Sequence, residues 1–414
     1  MESQSSWKKH TIFFLASQNI SLFGSMLVQY AIMWHITLTT QSGTMMMISI
    51  ICGFIPTLII SPFAGVWADR LERKKVIILS DAMIAITTLA MAISFYFGFE
   101  SLWQLFVVMA IRSFGNGIQT PAVSALLPQL VPNEQLTKVN GIQQSIQACV
   151  SIISPILSGA LLSITPIEQI FGIDVLTAAL AIGILLFLLK IPTQKRINGT
   201  IKVSYFTDLR DGIIYIHHHD FIKTLFVFCA FFFVLVSPIA FLSPLQTTRN
   251  YGPDIWRLTA IEVTFSGGMM IGGALIALWK GFANKLHTMV LSILINGVFI
   301  IAMSLIPPFW IYLACMAIIG VSMPLFNTPF TVLLQQKVDP AYLGRVFGVF
   351  SMISSSVMPL AMLFFGPLAD VIKIEWMLFV TGTIMAIEGW VMSRNKKLLR
   401  AGAPDPGIQP SALQ

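Results

Sequence analysis

The sequence predicts an all-α polytopic membrane protein: twelve transmembrane helices arranged as two pseudo-symmetric six-helix bundles. Three observations carry this reading. Of 414 residues, 56% are hydrophobic and 10% charged, whereas a soluble domain carries about 25% charged residues. Apolar residues recur in stretches near the ~20 needed to cross ~30 Å of hydrocarbon, and twelve such stretches fit. Lys and Arg outside those stretches fall 21 on one side and 3 on the other (Arg249, Arg257 and Lys373) if there are twelve spans, with Arg112 in between. Such a bias encodes topology and places both termini in the cytoplasm.

Residues 1–10 are polar, with Lys8 and Lys9 ahead of the first apolar run. That run is too long for a signal-peptide core and no A-x-A site follows, so a retained first helix is expected. Hydropathy places helices near 12–38, 44–67, 75–97, 102–127, 137–163 and 170–190. A second set follows near 220–246, 258–280, 287–307, 309–335, 342–368 and 373–394. The expected division is an N-terminal bundle (1–190), a cytoplasmic central loop (191–219), a C-terminal bundle (220–398) and a disordered cytoplasmic tail (399–414), Pro- and Gly-rich from Ala401.

No soluble domain of useful size remains. The net charge of +7 is spread as a topology signal, so no nucleic-acid partner is expected. Cys52, Cys149, Cys229 and Cys315 all fall in apolar spans without CxxC spacing, which argues against disulfides and metal. His217, His218 and His219 are consecutive and cannot all face one metal from a helix, so a cytoplasmic interface patch is the better reading. No Gly-x-x-x-x-Gly-Lys-[Ser/Thr] loop occurs, which argues against direct ATP use, and no hydrolytic triad stands out. Neither enzyme activity nor a cofactor is expected.

The halves resemble each other. Leu126–Leu136 aligns with Leu333–Leu343, Thr137–Gly141 with Gly344–Gly348, and Thr120-Pro121 with Thr328-Pro329 after a one-residue slip. Copies of the same topology imply a pseudo-twofold along the membrane normal, with a site at the interface near the midplane.

Polar residues inside the spans are the functional candidates. Arg112 sits alone in an apolar stretch, where a fixed cation costs about 2.5–3.5 kcal/mol on insertion scales. Asn116 and Gln119 follow it at helical spacing. The first helix carries Gln18, Ser21, Ser25 and Gln29 as a polar stripe, expected to line a central cavity. The embedded acids are Asp81, Asp174, Glu262 and Glu388, each with a structural reading as a helix–helix hydrogen bonder. Glu262, Ser266 and Met270 form a stripe at spacing four. Phe226, with the phenylalanines that follow it, and Asn327 of the tenth helix complete the cavity candidates. Deformable Met and aromatic walls suit bulky amphipathic substrates.

Gly65-Val66-Trp67-Ala68-Asp69-Arg70-Leu71-Glu72-Arg73-Lys74-Lys75 resembles the signature loop of the major facilitator superfamily, between helices two and three. The resemblance implies a latch in which Asp69 meets the positive end of the eleventh helix and holds an outward-open state. Gly65 would allow close packing, and Arg70, Arg73 and Lys74 would join it. Glu72 replaces the expected glycine, and the second half has only Lys280–Lys285 at the equivalent place, without the acid, so the latch is one-sided. Arg112-Ser113-Phe114-Gly115 matches the fourth-helix motif associated with proton coupling; Asp81, Asp174 and Glu262 are separate candidates for the group that changes protonation. Ser154, Pro155, Ser158 and Gly159 resemble the fifth-helix antiporter motif, with two glycines replaced by serine.

At finer grain the sequence resembles the macrolide-efflux (Mef-type) branch of drug exporters. Ile111-Arg112-Ser113, Leu130-Val131-Pro132, Glu134–Lys138 and Tyr342–Phe347 are among the segments that carry it. This implies proton-driven export of an amphipathic drug, a macrolide first, by alternating access from a bacterial cytoplasmic (inner) membrane. The implied partners are a small-molecule drug, protons and the lipid bilayer. The chain would work as a monomer, on its own or beside an ATP-driven exporter. The alternatives are export of tetracycline, another drug or a siderophore-like metabolite, and, in a different class, a membrane partner or sensor subunit of an ATP-driven exporter.

Overall fold

The computed structural model describes residues 2–189 and 205–402. The expectations for 190–204 and for the tail from 403 lie outside the described residues. The helices are α1 (Glu2–Thr40), α2 (Gly43–Arg70), α3 (Arg73–Tyr96), α4 (Leu102–Leu130), α5 (Leu136–Ile164), α6 (Ile167–Gly183), α7 (Tyr205–His218), α8 (Asp220–Tyr251), α9 (Ile255–Trp279), α10 (Lys285–Ser304), α11 (Phe309–Lys337), α12 (Leu343–Val371), α13 (Ile374–Arg394) and α14 (Lys396–Ala401). A single π-turn, Ile184–Leu188, prolongs α6.

Eleven of these are long and apolar enough to cross a membrane. The twelfth span is α4, which has 29 residues but holds Arg112, Asn116 and Gln119. It packs against both α2 and α3, and Arg112 is buried and Gln119 half-buried within the bundle, whereas Asn116 is exposed. Large apolar side chains such as Ile59, Leu79, Leu176, Leu278 and Val371 remain exposed, as helices solvated by acyl chains require.

The loops are short and turn by local chemistry. Ser42 caps α2 by accepting from the Met45 amide at 3.3 Å, and Asn284 caps α10 by accepting from Leu286 at 3.0 Å. Gly98 ends the α3–α4 hairpin at φ +80°, a conformation that disfavours any side chain.

The chain forms two compact units, 1–201 with 247–262, and 202–246 with 263–414. In the first, α1 packs on α5 and α6, α2 on α4, and α3 on α4 and α6. Its apolar core is split in two. One cluster holds Leu27, Ile32, Met91, Leu105, Met109 and Phe171; the other holds Phe14, Ile77, Ala122, Leu126 and Leu185.

In the second unit α10 packs on α11 and α13, the counterpart of α3 on α4 and α6. Backbones meet at glycines: a Cβ on Gly268 would lie 2.2 Å from the Ala317 carbonyl oxygen, and one on Gly320 2.3 Å from that of Phe265. A ladder of rings fills the rest, with Phe232 stacked on Phe326 at 4.3 Å and Phe330 tilted on Phe350 at 4.4 Å.

The central segment contains a helix that hydropathy alone did not separate from a loop. On α7, Gly212 and Ile216 are buried one turn apart, facing the start of α12. Arg345 donates to Asp208 at 2.8 Å and lies 3.9 Å from Asp211. Tyr215 stacks on Tyr342 at 4.6 Å, and its hydroxyl accepts from the Asp339 amide at 3.1 Å. The Tyr342–Phe347 motif is therefore a docking surface for α7.

The glycine crossing generates a test. A Cβ on Gly272 would lie 2.2 Å from the Val321 carbonyl oxygen, whereas one on Gly273 meets nothing within 4 Å. Gly272→Ala is expected to destabilise by about 1–3 kcal/mol through overpacking. Gly273→Ala should be neutral or gain up to about 0.5–1 kcal/mol from helix propensity. Thermal melts of the purified protein in detergent compare them, and equal midpoints would refute the α9–α11 crossing.

Candidate functional site

Between the two apolar clusters of the first unit lies a polar layer. Each contributing helix reads apolar, polar, apolar along its length. On α1, Gln18, Ser21 and Ser25 follow Phe14 and precede Leu27. On α3, Asp81 and Thr88 fall between Ile77 and Met91. On α4, Arg112 and Gln119 fall between Met109 and Ala122, and on α6 Asp174 falls between Phe171 and Leu185.

Arg112 is the hub. It is 4% exposed and forms an ion pair with Asp174, itself 1% exposed. The same guanidinium donates to the Thr88 hydroxyl and to the Ser25 carbonyl at 3.2 Å. Ser25 Oγ donates to Asp174 Oδ1 at 3.4 Å. One side chain thus ties α4 to α1, α3 and α6. A buried cation whose donors meet a carboxylate, a hydroxyl and a carbonyl is the arrangement that offsets desolvation.

Asp81 forms a second centre. Its Oδ1 accepts from Ser21 at 2.7 Å and from Gln119 at 2.9 Å. Gln119 also reaches Gln18 Oε1 at 3.5 Å. Asp81 Oδ2 is buried and has no hydrogen-bond partner among the described residues. The two centres sit two helical turns apart on α3 and on α4, joined along α1 by Ser21 and Ser25.

The structure gathers Gln18, Ser25, Asp81, Arg112, Gln119 and Asp174 into this layer, and the remaining candidates lie elsewhere. Gln29, Asn116 and Asn327 are exposed. Arg112 and Gln119 share the inward face, and Asn116 falls outside it because spacings of four and three straddle a helical stripe. Glu262 is half-buried, Ser266 buried and Met270 exposed, so the spacing-four stripe of α9 crosses from a covered to an open surface. Phe226 is buried against Phe330 and Phe350, with centroids at 5.8 and 6.4 Å, inside the ring ladder of the second unit.

In the signature loop, Gly65 has open space around it. The side chains of Asp69 and Arg70 lie outside the described residues. Arg73 donates to the Ala125 carbonyl at 2.8 Å and Lys74 to the Leu189 carbonyl at 2.7 Å. Both cations thereby bind carbonyls near the ends of α4 and of the α6 π-turn, a favourable placement against the helix dipoles. On α5, Ser154, Pro155, Ser158 and Gly159 are all buried. Ser158 donates to the Leu27 carbonyl at 3.0 Å, and a Cβ on Gly159 would sit 2.0 Å from the Thr259 hydroxyl of α9 and 3.2 Å from the Trp34 ring of α1. The motif brings α5 close to α1 through Ser158 and to α9 through Gly159, contacts of the kind small residues permit.

Sequence reasoning named Asp174 but not its bond to Arg112, 62 residues away. The one signal available was charge balance: a lone guanidinium in lipid calls for an acid at similar depth. The α7 clamp was missed as well, although Asp208, Asp211, Tyr215 and His219 recur at helical spacing. Cys229 and Cys315 are buried, Cys52 is half-buried and Cys149 exposed, and all four are free thiols. Among the described residues no three His, Cys, Asp or Glu side chains converge as a metal site.

Twelve spans in two units with matching helix pairings, one of them enclosing an ionised pair, make a polytopic membrane protein built as a transporter. The chain belongs to the Major Facilitator Superfamily, which it matches over residues 11–362. It is 30% identical over 387 residues to macrolide efflux protein A of Streptococcus pyogenes, covering 93% of this chain and 95% of that protein. It is 26% identical to the enterobactin exporter EntS of Salmonella typhi, over 77% of this chain and 73% of that one. Among solved structures, the nucleoside transporter NupG superposes with a TM-score of 0.68 at 14% identity, covering 94% of this chain and 98% of that chain. A bacterial homologue of the human lysosomal transporter Spinster gives 0.68 at 14%, covering 96% and 99%. At these identities the structural likeness concerns the fold.

Removing one member of the buried pair leaves the other charge uncompensated. Asp174→Asn and Arg112→Met are each expected to cost about 3–5 kcal/mol. The double variant should cost clearly less than their sum, because contacting residues couple. A double-mutant cycle from unfolding in detergent measures this, and strict additivity would show that the pair is not formed.

Proposed function

We propose that this chain exports an amphipathic small-molecule drug, a macrolide in the first instance, in exchange for protons. The observation that carries the reading is the sealed polar layer around Arg112 and Asp174 with Asp81 beside it. A membrane protein that needed only stability would fill this space with packed apolar side chains. Ion pairs and acids held at bilayer depth are the apparatus of proton and substrate movement.

Within that reading Asp174 is the standing counterion of Arg112. Asp81 is the group that exchanges a proton, since one of its oxygens is already bare. Drug enters from the cytoplasm or inner leaflet, with both termini cytoplasmic, and the two bundles (1–190 and 220–398) alternate access around the drug. A motive force of about 150 mV is worth about 3.5 kcal/mol per charge, enough for a gradient of about a few hundred-fold per proton exchanged. The macrolide assignment draws on the relative from Streptococcus pyogenes, aligned over nearly its whole length. The likeness to an enterobactin exporter supports a second reading, export of a siderophore-like metabolite.

Everted membrane vesicles test the proposal. Labelled macrolide should accumulate when a proton gradient is imposed and stop when gradient and potential are collapsed. Arg112→Ala should abolish uptake with the protein still in the membrane, and Asp81→Asn should remove the response to pH. Uptake that survives collapse of both gradients would reject proton exchange. Absence of any transport by the purified chain in liposomes would favour a partner or sensor subunit of an ATP-driven exporter.

A further inference from the structure

The second unit holds an acid that no part of the layer above uses. Glu388 lies on the buried face of α13, in line with Thr381, Met385 and Met392. It is 4% exposed, and neither carboxylate oxygen has a hydrogen-bond partner among the described residues. Thr381 does not serve it, since its hydroxyl bonds the Met377 carbonyl at 2.8 Å.

The surroundings are apolar on the sides that pack against α13. The next residue, Gly389, meets Ile293 and Leu294 of α10, and Gly382 meets Gly297 of α10 backbone to backbone. The titratable groups of α10 are Lys285 and His287, at its first turn and about 9 Å or more along the axis from Ile293. Arg394 of α13 itself lies about 9 Å further along the helix, and Lys396, Lys397 and Arg400 of α14 lie beyond it. On α8 the group in electrostatic reach is the buried thiol of Cys229, and Lys223 of that helix is six residues away from it.

Among the described residues no cation and no donor therefore stands ready to hold an ionised carboxylate at this place. An ion stripped of both water and donors is costly, whereas a neutral acid has one O–H to satisfy. Asp174 has a guanidinium and Asp81 has two donors, but Glu388 has neither, so its partner is a proton.

We propose that Glu388 is a second proton-binding site, located in the C-terminal bundle, which holds its proton in the arrangement seen here and releases it when movement of the bundle wets the inner face of α13. The inference rests on the proton-exchange reading above and adds a second proton to each cycle.

Two measurements on the full-length protein test it. The first is the infrared carbonyl stretch of a protonated carboxylic acid, recorded at neutral pH on purified protein in lipid nanodiscs. A component present in the wild type, kept in Glu388→Asp and missing in Glu388→Gln is expected. Identical spectra for wild type and Glu388→Gln would overturn the proposal. The second is the limiting drug gradient in vesicles at fixed motive force. Losing one of two protons should lower it by up to about a few hundred-fold at about 150 mV, with Glu388→Gln still folded by gel filtration and thermal midpoint. An unchanged limiting gradient in that variant, with the wild type proton-driven, would also overturn it. A wild-type gradient indifferent to motive force would instead reject proton exchange itself, while the infrared component still reports whether Glu388 is protonated.

Discussion

The ion pair between Arg112 and Asp174 is the interaction on which the first unit depends. A guanidinium at bilayer depth cannot be left to lipid, and its donors here are taken up by α6, α3 and α1 at once. Those contacts fix the heights of four helices relative to one another, because sliding any of them by one turn would strand a charge. The two apolar clusters above and below the layer keep water and lipid from competing for those bonds, and in that setting each bond is electrostatically stronger than in solvent. The helices α2 and α5 stand outside the ionic layer. They attach through hydroxyl-to-carbonyl bonds, Thr57 to Ser113 at 2.6 Å and Ser158 to Leu27 at 3.0 Å, and through small residues that let backbones approach. These contacts carry no charge, so the helices of the first unit divide into a set pinned by an ion pair and a set held by neutral hydrogen bonds and packing.

In the second unit α10 keeps the pairings of α3, with α11 and α13 in place of α4 and α6, but what holds them changes. In the register that aligns Thr120 with Thr328, the residue at the place of Arg112 is Gly320. Where α4 presents a guanidinium, α11 presents bare backbone to α9. Between α10 and α11 the described side-chain bonds are neutral: Ser292 donates to the Ser322 carbonyl at 2.6 Å and Asn296 to the Ser322 hydroxyl at 2.7 Å. Stacked rings from α8, α11 and α12 supply the rest. Packing of this kind depends on shape, and it tolerates small sliding better than a buried ion pair does.

The helices were legible because hydrocarbon thickness imposes a local rule: each span must bring its own apolar run of about the right length, whatever its neighbours are. That is why α3 at Arg73–Tyr96 and α13 at Ile374–Arg394 fall within a few residues of what hydropathy indicates. The partners of Arg112 were not legible, because nothing in the chain near residue 112 specifies Thr88 or Asp174; the packing of α3 and α6 does. Phe226 shows the reverse error source. Its composition suits a binding wall or a core equally, and only the rings of Phe330 and Phe350 around it decide for the core. The α7 helix was hidden because a short helix outside the membrane has no apolar run, and its order comes from Arg345 and Tyr342 on another element.

Three of the embedded acids, Asp174, Asp81 and Glu388, form a series when ranked by what surrounds the carboxylate. Asp174 has an ionised donor and a hydroxyl, one on each oxygen. Asp81 has two neutral donors, both on the same oxygen. Glu388 has none among the described residues. A buried carboxylate is held in place by its donors, so the series runs from a fully bonded group to one with no donor among the described residues. A carrier that turns proton movement into helix movement needs both ends of that range. On the proposed exchange of protons, the bonded end would give one bundle a rigid frame that does not melt when protons come and go. The bare end would give the other bundle a group whose charge state and exposure to water change together, and that linkage would couple a chemical gradient to a conformational step.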